Sequence, residues 1–485
     1  MVDEIELKLE LTPETVELVA SSGVLPHDFT TAKQISIYFD TPAQTLRKAG
    51  FTLRIRRCNG KRIQTVKADG ASAAGLFARS EWERSVKTDT PIIDDATPLG
   101  ALLGSESERV MPLFEVHVER RTWNVHQDNS TIEVVVDRGH VVANDRSSSI
   151  CEMELELKDG NSDALFTLAR QIDAVVPLRL GVLTKSQRGY QLTRPVMTVF
   201  NAEPLGLIND RTAAQAFQQI VQICLRQFRL NESLLQQGRN IEALHQARVA
   251  LRRLRSAFSI FKPLLDRDDA VSLRGELKWL ASELGDARNL DVLLGRLTVG
   301  SLRQRLESAR HNAYAKVDVT FASSRVRGLM LDLAQWAAIG VWLHAPDRQK
   351  SRDQTARDFA RSTLGRLRKK VKKDGLNLVD ATNEVRHELR KDAKKLRYAS
   401  EFFAALFDSK RQKRRNKRFI TALEELQDQL GLLNDLVSAP QVLDTLGLAD
   451  DPDADALLNS NKKKPLLDAA ADAHEVLVDT KRFWR

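Results

Sequence analysis

Glu4, Glu6 and Lys8 alternate with Ile5, Leu7 and Leu9 at the start of the chain, and Glu152, Glu154 and Glu156 alternate with Met153, Leu155 and Leu157 far downstream. In an extended strand the side chains at i and i+2 share a face, roughly 6.8 Å apart. Each triplet therefore presents a one-sided ionisable row backed by an apolar one. Two such rows could build one site for a polyanion and a metal ion.

The same parity recurs between them. Thr52, Arg54 and Arg56 alternate with Phe51, Leu53 and Ile55; Lys67 shares a face with Ile63 and Thr65; Arg79, Glu81 and Glu83 form another polar row, and Thr131, Glu133 and Asp137 a further one. An open antiparallel sheet with one wet face accounts for such alternation. The alternative is a closed barrel with a charged lumen and an apolar outer face beneath helices, because the polar rows hold long charged side chains of both signs. Closure also removes the sheet edges. Turn signals such as Asn59-Gly60 and Asp159-Gly160 separate the runs, and helical periodicity at Pro13 to Val19 and Ala164 to Val175 makes this half α+β.

With 485 residues the chain is too long for one ordinary core. Residues 1–200 hold 24 Lys or Arg against 28 Asp or Glu, whereas the rest holds 50 against 37. The positive excess sits wholly in the second part and points to a polyanionic partner there. Cys58, Cys151 and Cys224 are too scattered for a zinc site or a disulfide framework. With no secretory pattern at the start and no run long enough to span a bilayer, a cytoplasmic protein without a membrane partner is expected.

After Pro195 and Pro204 the period turns helical and stays so, with breaks expected near Pro263, Gly300, Pro346, Gly375 and Pro440. An all-α region of helical bundles is predicted. It contains a repeat: His245, Arg248, Arg252, Arg253, Leu254 and Arg255 return as His387, Arg390, Lys394, Lys395, Leu396 and Arg397, 142 residues on, and Leu284-Gly285 is echoed by Leu430-Gly431. Two related bundles, roughly 208–345 and 350–485, form a pseudo-twofold pair in this reading.

At about 100° per residue His245, Arg248, Arg252 and Arg255 fall within an arc of roughly 80°, with Arg253 beside it. No acid lies between Gln246 and Lys262, so the i,i+4 ion pairs of an ordinary solvated face are missing. Stacked like charges call for an anion. A phosphate chain fits, since Arg forks grip phosphate oxygens in pairs. Nucleic acid would satisfy the same charge, but with aromatic residues at 6% and no base-stacking or groove-reading motif it is not the expected partner.

These residues taken in order resemble an N-terminal CYTH domain of the triphosphate tunnel metalloenzyme superfamily joined to a C-terminal CHAD domain. The CYTH resemblance rests on Glu4-Ile5-Glu6-Leu7-Lys8, Tyr38 to Thr41, Arg54-Ile55-Arg56, Lys67, Glu81 with Glu83, Arg120, Glu133 with Asp137, Glu152 to Glu156, and the Thr184 to Tyr190 run. The CHAD resemblance rests on the two basic repeats, the two Leu-Gly pairs and Arg482-Phe483-Trp484, with Asn289 standing where Asp commonly follows Arg in the first repeat.

The resemblance implies an eight-stranded antiparallel tunnel barrel over 1–200 and paired helical bundles over 208–485. It further implies hydrolysis of inorganic triphosphate with Mg²⁺ or Mn²⁺ in the tunnel, and inorganic polyphosphate binding on the helices. Relatives acting on a nucleoside or thiamine triphosphate, or a non-catalytic polyphosphate scaffold, are the alternatives. Under this reading Lys8, Arg54, Arg56, Lys67, Arg120, Lys185 and Arg188 bind substrate, with Lys8, Lys67 and Lys185 the catalytic candidates. Glu4, Glu6, Glu154 and Glu156 are the metal candidates. His245, Arg248, Arg252, Arg253, Arg255, His387, Arg390, Lys394, Lys395 and Arg397 are the polyphosphate candidates.

Overall fold

The computed structural model describes residues 2–68, 72–73, 75–207, 209–265, 267–297, 300–449, 451, 454 and 463–485, with backbone alone at 2–4, 72–73, 78–79 and 267. Period-two alternation is realised as ten strands: β1 (Val2–Glu10), β2 (Thr30–Asp40), β3 (Phe51–Cys58), β4 (Lys61–Ala68), β5 (Ser72–Ala73), β6 (Leu76–Ser85), β7 (Met111–Gln127), β8 (Ser130–Ala143), β9 (Arg146–Asp159) and β10 (Arg179–Leu180). Eight of them run β1, β9, β8, β7, β2, β3, β4, β6, and β6 returns to pair with β1, every pairing antiparallel. The sheet is thus a closed barrel rather than an open one, with β5 and β10 as short additions. Asn59 and Gly60, both at positive φ (49° and 75°), join β3 to β4 in the left-handed geometry that matches strand twist.

The helices of the first part are α1 (Pro13–Ser21), α2 (Thr45–Lys48), α3 (Leu99–Leu103), α4 (Asp163–Asp173) and α5 (Lys185–Leu192). Those that follow are α6 (Ala213–Gln236), α7 (Ile241–Ile260), α8 (Arg267–Glu283), α9 (Gly285–Leu294), α10 (Ser301–Ala322), α11 (Ser324–Ile339), α12 (Gln349–Asp353), α13 (Ala356–Asp374), α14 (Asn383–Phe402), α15 (Lys410–Thr445) and α16 (Lys463–Asp479). Two compact units result, Met1–Thr198 with Ser323–Gly340, and Val199–Ala322 with Val341–Arg485.

In the first unit the outward parity of the barrel is apolar and covered. Leu7, Leu9, Val134, Val136, Met153 and Leu155 are buried, and α4, lying against β1 and β9, buries Leu165, Phe166, Leu168, Ala169 and Ile172. Each such side chain contributes roughly 1.5–3 kcal/mol. A second apolar cluster, including Ile37, Leu53, Ile55 and Leu99, lies between the β2–β4 wall and α2 and α3. Although α11 falls inside the expected span of the first helical repeat, it packs in this unit: Asp332 accepts from Arg170 (2.7 Å), Arg327 donates to Asp173 (2.6 Å) and Gln335 to Asp163 (2.9 Å).

In the second unit the repeat is visible as interactions that exchange. The amide of Ala213 donates to Gln354 O (2.9 Å) and that of Ala356 to Arg211 O (2.8 Å). Phe217 and Phe261 have Phe359 and Phe403 as counterparts, and the four rings pack together with centroids 4.6 to 6.1 Å apart. Reciprocity of this kind is what a twofold relation requires. The repeats differ in one respect: Leu284-Gly285 opens α9, whereas Leu430-Gly431 lies inside the continuous α15. That helix also runs through Pro440, where a break was expected. The missing hydrogen bond and ring clash cost about 3 kcal/mol. Burial of Ala439 and Leu443 in a cluster with Leu290, Leu294 and Leu302 offsets this cost.

Candidate functional site

The register of β1, β9 and β8 stacks the lumen charges in rows. Glu6 lies opposite Glu156 and Glu156 opposite Glu133; Lys8 lies opposite Glu154 and Glu154 opposite Val135; Glu10 lies opposite Glu152 and Glu152 opposite Asp137. The first row sets three carboxylates side by side, an arrangement that destabilises a sheet unless a cation joins it. Lys158 supplies one, 2.6 Å from Glu156 and 3.3 Å from Glu133. The side chain of Glu4 lies outside the described residues.

In the third row Asp137 and Glu152 are fully buried, and with Glu154 their ligand oxygens come within 4.8 Å of one another. Lys185 fills this nest, its Nζ 2.7 Å from Asp137, 2.6 Å from Glu152 and 2.9 Å from Glu154. Lys8 donates to Glu154 and stands 3.5 Å from Glu152. Burial alone would lower both amines, but the carboxylates more than offset it: Lys8 is raised, and Lys185 is raised well above the ordinary lysine value. Burial would likewise raise Glu154 and Asp137. Lys185, with Lys8 and Arg120 at Glu154 and Arg120 at Asp137, instead holds Glu154 well below the usual carboxylate range and lowers Asp137.

Facing these acids are guanidinium groups. Arg120 grips Asp137 through two hydrogen bonds (2.8 and 2.6 Å), and Arg54 and Arg56 line the same cavity from β3. Arg54 beside it, then burial, then Arg120, lower Arg56 to about 10. Cations crowded that closely favour an anion among them. Lys67 lies 3.4 Å from Glu81 on the neighbouring strand. The cavity, about 220 Å³, is lined by Glu6, Lys8, Arg54, Arg56, Lys67, Arg120, Glu154, Glu156 and Lys185 together with Tyr38, Glu81, Glu83, Glu133 and Lys158.

The other end of the lumen is apolar. Tyr38, Phe114, Val116, Val118, Val141 and Ile150 cluster there with Tyr190 of α5. Thr184 caps α5 by accepting from the Gln187 amide while Gln187 reaches back to the Thr184 amide. Tyr190 donates to Asp40 (2.8 Å), which is fully buried and also accepts the amides of Thr41, Leu46 and Arg47. Gly189 is required by close approach, since a Cβ there would overlap the Phe114 ring. The Thr184 to Tyr190 run thus divides its work: Tyr190 locks the helix and Lys185 enters the acid nest. Arg188 does not line the cavity but pairs with Glu10 (2.8 Å).

The second unit holds a larger cavity of about 850 Å³, to which α7 contributes His245, Arg252 and Arg253, α14 contributes Arg390, Lys394 and Arg397, and α15 contributes Gln427, Asp428 and Asp435. Arg252 donates to Tyr398 (2.7 Å), tying the two repeats together. Arg253 is committed to structure: it pairs with Glu401 (2.6 Å) and lies over the Phe402 ring. Burial first, then Arg288, lower His245 to about 4, and burial with Arg252 and Arg288 lowers Arg248 to about 10.

Of the predicted residues here, Arg248, Arg255, His387 and Lys395 do not line the cavity. Arg248 donates to Ala281 O (2.7 Å), His387 is exposed against Asn434, and Lys395 pairs with Asp392 (3.3 Å). Sequence reasoning missed Tyr398, Glu401 and Asp435, which carry no signal until α7, α14 and α15 meet. It set Glu133 outside the metal group, although the parity of β8 placed it on the lumen face.

A closed antiparallel barrel with a lumen of paired acids and bases, followed by duplicated basic helices, defines a two-part architecture. Residues 3–190 match the CYTH domain and residues 219–444 the CHAD domain, so the chain belongs to the proteins that join these two. It is 30% identical over 203 residues to an inorganic triphosphatase of Haemophilus influenzae, covering 40% of this chain and 55% of that protein, so it spans about half the length of this curated relative. Among solved structures it is 31% identical to the CHAD domain of Ricinus communis, covering 57% of this chain and 96% of that one with a TM-score of 0.49. It is 19% identical to a Hippeastrum protein assigned as an adenylyl cyclase and described as having a dominant triphosphatase activity, covering 38% and 93% at a TM-score of 0.30. Among the described residues no helix is long and apolar enough to cross a membrane.

Proposed function

We propose that the barrel hydrolyses inorganic triphosphate to pyrophosphate and phosphate, and that the helical cavity binds inorganic polyphosphate. The observation that carries the first half is the meeting, in one small cavity, of the Glu6, Glu156 and Glu133 row with the Arg54, Arg56 and Arg120 cluster. Triphosphate is a short rod of dense negative charge without a base or sugar. A cavity lined mostly by ionic side chains suits it better than a nucleotide, and the inorganic triphosphatase relative agrees.

The donor set also fits a hard divalent cation. Carboxylate oxygens are what Mg²⁺ and Mn²⁺ prefer, and the register of β1, β9 and β8 sets Glu6, Glu156 and Glu133 side by side. Glu6 and Glu156 would hold it, with Glu4 on the same strand parity and Glu154 one row further in. Such an ion, when bound, supplies Lewis acidity toward phosphate oxygens. Arg54, Arg56 and Arg120 bind the equatorial oxygens and hold the chain in line, and Lys67 neutralises one end. Lys8 and Lys185, fixed charged by their acids, hold the inner wall's charges in place without any reorganisation.

The test is phosphate release by the full chain from inorganic triphosphate, ATP, thiamine triphosphate and long-chain polyphosphate, each with Mg²⁺, with Mn²⁺ and with chelator. Metal-dependent turnover with the highest kcat/KM on inorganic triphosphate is expected. A clear preference for ATP or thiamine triphosphate would make this a different tunnel enzyme. No release from any substrate would leave a phosphate-binding scaffold.

A further inference from the structure

Lys394 differs from the other lysines of α14. Lys391 pairs with Glu388 (2.7 Å) and Lys395 with Asp392 (3.3 Å), whereas Lys394 has neither an ion pair nor a hydrogen bond among the described residues. Its amine lies in the 850 Å³ cavity with Arg390 and Arg397 on its own helix and Arg252 from α7. Of the acids that line the cavity with it, Asp435 from α15 is taken up by Arg296 at 2.6 Å, and Glu401 is shared by Arg253 (2.6 Å) and Arg397 (3.2 Å). Among the described residues the amine is thus left without a carboxylate partner, beside guanidinium groups.

We infer that Lys394 is an acylation site whose donors are acyl phosphates: Arg252, Arg390 and Arg397 dock the donor's phosphate, and the adjacent amine takes the acyl group. The lone pair of Nζ attacks the carbonyl carbon, the bond from that carbon to the phosphate oxygen breaks, and inorganic phosphate leaves with the electron pair and the proton given up by the amine. The product is an uncharged amide in the cavity, which removes one cation from it. Burial, followed by Arg390, Arg252 and Arg397, lowers Lys394 to about 7, so a large share of the amine is neutral and nucleophilic near neutral pH. This rests on the anion-binding reading of the same cavity.

The experiment incubates the full chain with acetyl phosphate at pH 7.5 and follows acetylation of each lysine by peptide mass spectrometry, with an uncharged acetyl ester as a parallel donor. Lys410 and Lys413, exposed on α15, are the internal references. Lys394 should react roughly tenfold faster than either with acetyl phosphate, and lose most of that advantage with the ester. Long-chain polyphosphate should shield it. A Lys394 rate no greater than those of Lys410 and Lys413, or an equal advantage with both donors, would overturn the inference. Fast, donor-selective acetylation without shielding would support it and sink the polyphosphate reading of the cavity instead.

Discussion

Lys185 occupies the position in the barrel where a cation is most needed. Its ammonium is the shared partner of Asp137, Glu152 and Glu154. Replacing it with Met should destabilise the protein by about 3–5 kcal/mol, because three largely buried carboxylates then share Lys8 and Arg120 without the cation common to all three. The pH dependence should also change sign. In the native protein Glu154 and Asp137 are lowered, so their stabilisation is complete above the ordinary values of 4.5 and 3.8 and is lost as pH falls through their lower folded values. In Lys185→Met, repulsion and burial favour a protonated carboxyl, so melting temperature should rise as pH falls from 7 toward 5. A flat or falling curve over that range would mean that the nest does not depend on Lys185. Glu6→Gln should behave otherwise: metal-dependent release of phosphate from triphosphate drops by a hundredfold or more while the melting profile stays unchanged, since Glu6 lines the cavity outside the Lys185 nest. Period-two parity announced Glu152 and Glu154 on one face, and the Thr184 to Tyr190 run put Lys185 in the same site, but nothing in the sequence said that its ammonium would bind these acids. That depends on where the ring closes and on which end α5 enters.

At the level of elements, α5 is what turns a charged tube into a pocket, and its placement depends on close packing against β7. Gly189→Ala should cost about 1–3 kcal/mol through overlap with the Phe114 ring. Because Lys185 and Tyr190 are on the same short helix, kcat should fall with it; thermal melts and triphosphatase rates on the same preparation check both, and a stable, fully active variant would detach α5 from the site. The strands of the lumen were legible because alternation of apolar and charged residues has one geometric meaning in an extended chain. The plug was not, since Tyr38, Phe114 and Tyr190 belong to three separate runs whose meeting depends on barrel curvature. The helical half shows the complementary case. The repeat of His, Arg and Lys predicted two related bundles, yet the continuity of α15 through Pro440 and the docking of α11 beside α4 are outcomes of burial and ion pairing that periodicity does not encode.

For the molecule as a whole, the two proposed phosphate sites differ in their charge balance. The barrel balances its cations with acids in register, which in the proposed function suits a small substrate that must be released as products. In the helical cavity Arg252, Arg390 and Lys394 bring cations from both repeats into the same space. A polyanion long enough to touch both repeats gains effective concentration once the first repeat has engaged it. Charge reversal at Arg252 together with Arg255, or at Lys394 together with Arg397, should therefore each weaken polyphosphate binding by roughly tenfold or more at moderate salt, and lower the slope of log affinity against log salt by about 0.7 to 0.9 for each phosphate that is no longer neutralised. Arg255 does not line the cavity, so Arg252→Glu alone should account for nearly all of the first effect. Triphosphate hydrolysis should survive every one of these changes, because the residues proposed to hold triphosphate lie on the barrel strands and α5, not on α7 or α14. Binding titrations at several salt concentrations with polyphosphate and with DNA, set beside triphosphatase rates, check the whole scheme. Tighter binding of DNA, or polyphosphate affinity untouched by both reversals, would show that the cavity serves another anion.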